Sequence, residues 1–392
     1  MSINEFVDPT LIGYCGSYFR VDTDEVVRNF RRVQNYIGKD IGIIPVVKGN
    51  CYGYGLVPMA KLFAERCGAK LIANAAVCES VTLRKAGITN ELFLIGGVPQ
   101  HLLEAVVEYD LQIPLFESKT ADVLNNLAGK AGKIAKVHLK IETGMNRLGV
   151  RGGKDLAALL DYMRNKKNME TVGIYTHFAT STADYNDPFA LEQFGRFKEA
   201  VEQVKGAGIS PKYIHCCNSA AIAWFKDAYC THVRSGASVL GHLAMEDGRE
   251  PIGLEESVSI RTFVTSIHNV YPGESVGYHR YFKVEKPMTI ATLSIGFTDG
   301  IYPPWAKTQG PVLVSGKRTH FLGICMDQSF IDVTGIPCEI GQQVTLIGRD
   351  GDERIKTWDI ERHTGQTFEL LYGTIGSRVA RVYISNGEAA VV

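Results

Sequence analysis

The stretch Ile41-Gly42-Ile43-Ile44-Pro45-Val46-Val47-Lys48-Gly49-Asn50-Cys51-Tyr52-Gly53-Tyr54-Gly55 decides how the rest of the chain reads. An apolar, β-branched run stops at a lysine, glycines and tyrosines follow, and Val57–Cys67 then has helical spacing. A lysine closing a buried strand is costly while charged, because burial disfavours the ammonium form. Such an amine is a candidate nucleophile able to form a Schiff base. The plain alternative is a lysine capping a strand in solvent.

Outward from this stretch, short apolar runs alternate with amphipathic segments. Buried strands are expected at Ile43–Val47, Lys70–Ala75, Leu92–Ile95, Leu111–Phe116, Val137–Ile141, Val172–Tyr175, Tyr213–His215 and His232–Val233. Helical periodicity marks Asp22–Ile37 before them, and Val77–Ala86, His101–Tyr109, Ser118–Leu127, Leu156–Arg164 and Phe189–Ala207 between them. About eight strand–helix units in succession predict a TIM-like (β/α)8 barrel. An open doubly wound sheet is the competitor, but no GxGxxG follows an early strand.

In a (β/α)8 barrel the chemistry sits at the carboxyl ends of the strands. Lys48 ends the first strand. Lys140, Glu142 and Arg147 end or follow the fifth, and His177 follows the sixth. Asn218 and Ser219 follow the seventh, and Arg234 ends the eighth, before Ser235-Gly236. Each has a dull explanation alone: a surface ion pair for Arg147, a core histidine for His177, an N-cap for Ser219. Their convergence on one rim favours a site. Loops after strands seven and eight of such barrels often bind phosphate. A Schiff-base lysine facing a phosphate site suggests pyridoxal 5'-phosphate, with Arg234 against its pyridine nitrogen. Arginine never gives up its proton in proteins, so it would leave that nitrogen largely unprotonated.

The 392 residues carry 42 acidic and 42 basic side chains, with 45% apolar and 21% charged residues. That length favours two domains, and the balanced charge argues against nucleic acid and anionic membrane surfaces. No signal peptide and no bilayer-spanning stretch is expected. The 9 cysteines are scattered, without zinc-site spacing, so reduced thiols and a cytoplasmic location are expected.

Taken together, Val47-Lys48-x-x-x-Tyr52-Gly53-x-Gly55, Leu139-Lys140-Ile141-Glu142-Thr143-Gly144-Met145-Asn146-Arg147-Leu148-Gly149, Thr176-His177-Phe178-Ala179-Thr180, Asn218-Ser219-Ala220 and Val233-Arg234-x-Gly236 resemble the alanine racemase family, fold type III of the pyridoxal-phosphate enzymes. The resemblance continues through Gly273-Glu274-x-Val276-x-Tyr278, Ile295-Gly296-x-x-Asp299-Gly300 and Cys325-Met326-Asp327-Gln328 to Arg378-Val379-x-Arg381-Val382-Tyr383. It implies a homodimer with shared active sites, an amino-acid substrate and an activity that supplies D-alanine. Lys48 would bind the cofactor and act as one base, and Tyr278, from the partner subunit, would act on the opposite face. Tyr52, Asn218, Ser219 and backbone donors near Gly236 would hold the phosphate side. Arg147 would meet the cofactor's phenolate oxygen and the substrate carboxylate. His177 would bond Arg234. Met326 and Asp327, again from the partner subunit, would line the substrate side. Lys140 matches a position often carbamylated in the family, where the new carboxylate orients Arg147. No metal is implied.

Near Pro251 the pattern changes. Val258, Ile260 and Val264 share a parity, Thr289–Ile295 and Pro311–Val314 read as strands, and helical spacing returns at Thr357–His363. The expected domains are therefore a barrel over 13–250 and a β-rich C-terminal domain made of 251–392 together with the N-terminal residues 1–12. Departures from the family pattern are Phe297 and Ser377, where tyrosines are usual, Gly49-Asn50-Cys51 for Ala-Asp-Ala, and Tyr54 for a histidine. Lost hydroxyls and a smaller residue at 377 leave open a serine or broad-specificity racemase. A non-catalytic pyridoxal-phosphate protein is a further alternative, although it has no need of Tyr278. A fold type III decarboxylase is the remaining alternative, and these motifs resemble it less.

Overall fold

The computed structural model describes residues 14–181, 187–243 and 251–390, which fall into two compact units. The first unit comprises Val26–Cys51 and Leu56–Glu255. The second comprises the described residues up to Glu25, Tyr52–Gly55 and the chain from Glu256 onward.

The first unit is built on parallel strands Gly42–Pro45, Leu71–Asn74, Glu91–Leu94, Leu111–Leu115, Ala135–Glu142, Met169–Tyr175, Tyr213–His215 and His232–Ser235, hereafter barrel strands one to eight. Strands buried on both faces read as unbroken apolar runs, so these elements were legible from sequence. The ring closes through backbone bonds. Strand eight pairs in parallel with strand one. The Val47 N–H donates to the Ala73 carbonyl at 2.7 Å, joining the end of strand one to strand two, and the Thr231 N–H donates to Ile214 at 3.1 Å. Ile44, Val46, Leu71, Ala73, Phe93, Val172, Tyr175 and Tyr213 cluster in its core. The helix Pro188–Gly206 starts at Asp187, whose carboxylate accepts the Phe189 and Ala190 N–H groups ahead of a proline at the first turn.

The second unit is a mostly antiparallel ten-stranded sheet whose centre is Val258–Val270. Its strand Ser17–Asp22 pairs antiparallel with Val258–Val270 and parallel with Ala380–Ser385. The sequence reading did not identify this strand and began the barrel at residue 13, whereas the compact barrel unit begins at Val26. Phe19 and Val21 face the core in alternation with exposed Arg20, a signal too short to separate from the following helix.

Candidate functional site

Lys48 lies just past strand one, partly buried, at the carboxyl end of the barrel. The chain then turns through a left-handed run: φ is 63° at Gly49, 55° at Asn50, 51° at Cys51, 55° at Tyr52 and 91° at Gly53. Left-handed backbone costs about 1–2 kcal/mol at each residue bearing a Cβ, so neighbours must hold it in place. Glu79, 5% exposed, accepts the Asn50 N–H at 3.2 Å and the Ala75 N–H at 3.1 Å. The Asn50 side chain accepts the Leu56 N–H at 2.7 Å, and Cys51 N–H bonds Val47 at 2.9 Å. Gly49 and Asn50 thus stand where the turn favours residues that tolerate positive φ. Such strain is characteristic of functional loops.

Arg234 is the most constrained charge of the rim. It is 4% exposed, on strand eight. Its Nη1 donates to His215 Nδ1 at 2.8 Å and to the His215 carbonyl at 3.1 Å. Its Nη2 donates to the Thr176 and Cys216 carbonyls and to His177 Nδ1, each at 3.0 Å. These bonds occupy both Nη groups and leave Nε–H outside the set. Burial, with the cations of Arg234, Arg147, Lys140 and Lys48, holds the His177 imidazole well below its usual pKa, so the ring is neutral.

Lys140, 3% exposed on strand five, donates to the Ile141 carbonyl at 3.0 Å, with its ammonium 5.1 Å from the Tyr175 ring. Burial, aided by Arg234, pushes its pKa down to about 7. Glu142 accepts the Gly144 N–H at 2.6 Å and the Arg147 N–H at 3.3 Å, tying the loop that displays the exposed Arg147. Burial would raise the Glu142 carboxyl, but these backbone donors and the Lys140 cation bring it below its ordinary value. Ser219 Oγ accepts the N–H groups of Gly236 at 3.1 Å and Ser238 at 3.3 Å, so amides after strand eight converge on a hydroxyl after strand seven. Asn218 caps the short helix Ser219–Trp224 by accepting the Ala221 N–H at 2.9 Å, and its amide donates to Ser181.

The remaining candidates lie in the second unit. The Tyr52 ring packs 5.8 Å from Phe368. Tyr54 is fully buried between Phe19 and Tyr372, which explains an aromatic there in structural terms. Tyr278 sits at the tip of a hairpin whose arms pair Ser275 with Lys283 and Val276 with Phe282, and it is 73% exposed. Met326 and Asp327 form an exposed turn on another element. Thr298 fixes that turn by donating to the Met326 carbonyl from N–H at 2.9 Å and from its hydroxyl at 2.7 Å. A Cβ on Gly296 would lie 2.5 Å from the Asp327 amide, so the approach needs glycine. Asp299 organises this corner. It is 4% exposed, accepts the Gly296 N–H at 2.8 Å and takes both arms of Arg378 at 2.9 and 3.0 Å. Ser377 lines an open hollow of about 500 Å³ with Asp327, Gln328 and Arg378.

Thus Lys48, Lys140, Arg147, His177, Asn218, Ser219, Arg234 and Gly236 belong to the barrel unit, and Tyr52, Tyr278, Met326 and Asp327 to the other. The sequence reading missed His215, Glu79 and the Asp299–Arg378 pair as organisers. Asp299 and Arg378 lie in two motifs far apart in the chain, and His215 ends an apolar strand, so no spacing in the sequence marks their roles.

The family pattern "Alanine racemase, N-terminal domain" matches residues 21–244, and "Alanine racemase, C-terminal domain" matches residues 257–383. Alanine racemase 2 of Caldanaerobacter subterraneus subsp. tengcongensis is 34% identical over 370 residues, covering 94% of this chain and 95% of that protein. The alanine racemase of Methanococcus maripaludis is 32% identical, covering 93% of this chain and 97% of its own. Among solved structures, alanine racemase of Bacillus anthracis with bound L-Ala-P superposes with a TM-score of 0.89 at 33% identity, covering 96% of this chain and 97% of that one. Alanine racemase of Clostridium difficile 630 gives a TM-score of 0.90 at 27% identity, with the same coverage.

Proposed function

The chain belongs to the alanine racemase family, and from that premise we propose that it interconverts L- and D-alanine as a pyridoxal 5'-phosphate-dependent isomerase with two bases, Lys48 and Tyr278. The observation that carries the reading is the caged Arg234 beside neutral His177, on the rim that also bears Lys48 and the Ser219–Gly236 donors.

The residues fit the cofactor. The Ser219 hydroxyl, whose oxygen gathers the Gly236 and Ser238 N–H groups, would turn its own hydrogen to the phosphate, and Asn218 and Tyr52 would support that side. Arg234 Nε–H is the donor left to meet a ring nitrogen. When bound, the cofactor supplies a conjugated acceptor for the electron pair released when a Cα proton is removed. Lys48 would hold it through a Schiff base, and its amine would take or return the proton on one face of Cα. The Tyr278 phenol would do so on the other face. Arg147 would hold the substrate carboxylate, and the partner subunit's Met326 and the partner subunit's Asp327 would bound the substrate side. A buried Lys140 with pKa about 7 offers a neutral amine near neutral pH, the form that adds CO2. Its carbamate would then face and orient Arg147.

Both bases must serve one Cα, and we place Tyr278 in the site of a partner subunit within a homodimer. All nine cysteines are free thiols, which supports a cytoplasmic setting. No helix among the described residues is long and apolar enough to cross a membrane. The test is chiral chromatography of L-alanine incubated with pure protein and added cofactor. D-alanine formation is expected, and none, despite a visible cofactor absorbance lost on borohydride reduction, would reject the alanine reading and leave a racemase of another amino acid or the non-catalytic alternative. A serine or broad-specificity racemase draws on Ser377 lining the hollow beside Asp327. A panel of L-amino acids decides it, and turnover confined to alanine rejects it.

A further inference from the structure

The barrel interior holds a second polar system that the proposed chemistry does not use. From Arg234 a file of hydrogen bonds leads to the opposite end of the barrel. Arg234 Nη1 meets His215 Nδ1 at 2.8 Å, and His215 Nε2 meets His138 Nδ1 at 3.2 Å. His138 Nε2 meets Gln112 Oε1 at 2.7 Å, and Gln112 Nε2 meets Glu91 Oε2 at 3.1 Å. His138 and His215 are fully buried and Gln112 is 2% exposed. Glu91 opens strand three at the amino end of the barrel and lines, with Gln112, a hollow of about 220 Å³. There the Tyr213 hydroxyl donates to Glu91 Oε2, and Lys212 Nζ approaches Oε1 at 3.3 Å.

Chemistry fixes the direction of this file. Burial pushes His138 down to about 3 and His215 well below its usual range, so each ring is neutral, with one donor and one acceptor nitrogen. A guanidinium only donates, so His215 Nδ1 accepts and Nε2 carries the hydrogen. His138 Nδ1 therefore accepts, and its Nε2–H donates to the Gln112 oxygen. The Gln112 NH2 then faces Glu91. An ionised carboxylate only accepts, so the far end demands the same order independently. Burial would raise the Glu91 carboxyl, but hydrogen bonds from Tyr213 and Gln112 and the Lys212 cation hold it below its ordinary value.

We propose that Glu91 is a remote positioning residue for Arg234: its carboxylate sets the order of the file through Gln112, His138 and His215, so that Arg234 Nη1 always meets an acceptor. The proposal rests on reading Arg234 as the group that meets the cofactor's ring nitrogen. Glu91 touches neither cofactor nor substrate.

The test reverses one end. In Glu91→Lys a donor faces Gln112, whose amide must turn its oxygen to the introduced ammonium and its NH2 to His138. That order collides with the order imposed by Arg234. The double variant Glu91→Lys/Gln112→Glu restores an acceptor opposite His138 while pairing the new charges. Nitrogen-15 spectra of the histidine rings should show His138 and His215 wholly as Nε2–H in the wild type and the double variant, and a mixed pattern in Glu91→Lys. Pyridoxal phosphate affinity, followed by absorbance, should fall about tenfold in Glu91→Lys, as for one lost hydrogen bond to a charged group, and recover in the double variant. Wild-type tautomers other than Nε2–H overturn the proposal. So does a Glu91→Lys protein with unchanged spectra and affinity, or a double variant that recovers neither. If Glu91→Lys does not fold, Glu91→Ala is read by affinity alone: a severalfold loss is expected, and no change overturns the proposal. A wild type that binds no cofactor yet shows the Nε2–H pattern would fault the functional reading and leave the file intact.

Discussion

Arg234, in the barrel unit, is 4% exposed with both Nη groups spent on the barrel's own acceptors, whereas Tyr278, in the β-rich unit, is 73% exposed at a hairpin tip. Met326, at 58%, and Phe297, at 44%, share that exposure. The barrel preorganises its candidate groups by burying them in a hydrogen-bonded cage. The second unit fixes backbone turns, through Asp299 and Arg378, and leaves the side chains they carry in solvent. Preorganised charges set an electrostatic environment before any ligand arrives, while exposed groups derive their chemistry from whatever they dock against.

The contrast is sharpest under deletion. Lys48→Ala should reduce racemisation to background while the barrel still folds, as measured by chiral chromatography and circular dichroism. Arg234→Met leaves the Thr176, His215 and Cys216 carbonyls without their donor and should cost about 3–5 kcal/mol in chemical denaturation, the range for breaking a buried charged network. Arg378→Ala strips the pair from buried Asp299 but leaves the Gly296 N–H, and should cost about 1–3 kcal/mol. Equal losses would erase the distinction between the two units.

Acid should also separate them. His138, His177 and His215 have folded-state pKa values below the unfolded value near ~6.5. Between those values the unfolded chain binds more protons, so the barrel's stability falls as pH drops below that value, for His138 down to about 3. Lys140 works the same way higher up, its contribution rising from about pH 7 toward the unfolded value near ~10.4. Denaturant midpoints against pH, read by probes in each unit, should show the steeper acid loss in the barrel. The smallest effect concerns Ser377→Tyr, which refills the hollow beside Asp327 and should narrow any turnover of larger amino acids while sparing alanine.

What the sequence made legible follows the same division. Parallel strands buried on both faces announced the barrel, and polar residues at their carboxyl ends announced the rim. Arg234 was placed on that rim, but its cage was not foreseeable, because the acceptors are mostly carbonyls that no side-chain pattern marks. The strand Ser17–Asp22 escaped notice because its partners, Val258–Val270 and Ala380–Ser385, lie far along the chain. Tyr278 alone would read as a cross-strand aromatic, and only the family resemblance singled it out.

Sharing of sites across a dimer can be read by mixing Lys48→Ala and Tyr278→Phe subunits. Sites built across a twofold interface should recover about a quarter of wild-type activity on random reassembly, and sites built within one chain should recover none. The central claim, two bases on opposite faces of Cα, is tested most directly by deuterium wash-in from each alanine enantiomer catalysed by Tyr278→Phe. Exchange retained with one enantiomer and lost with the other is the predicted result. Residual exchange that is symmetrical between the enantiomers would contradict it.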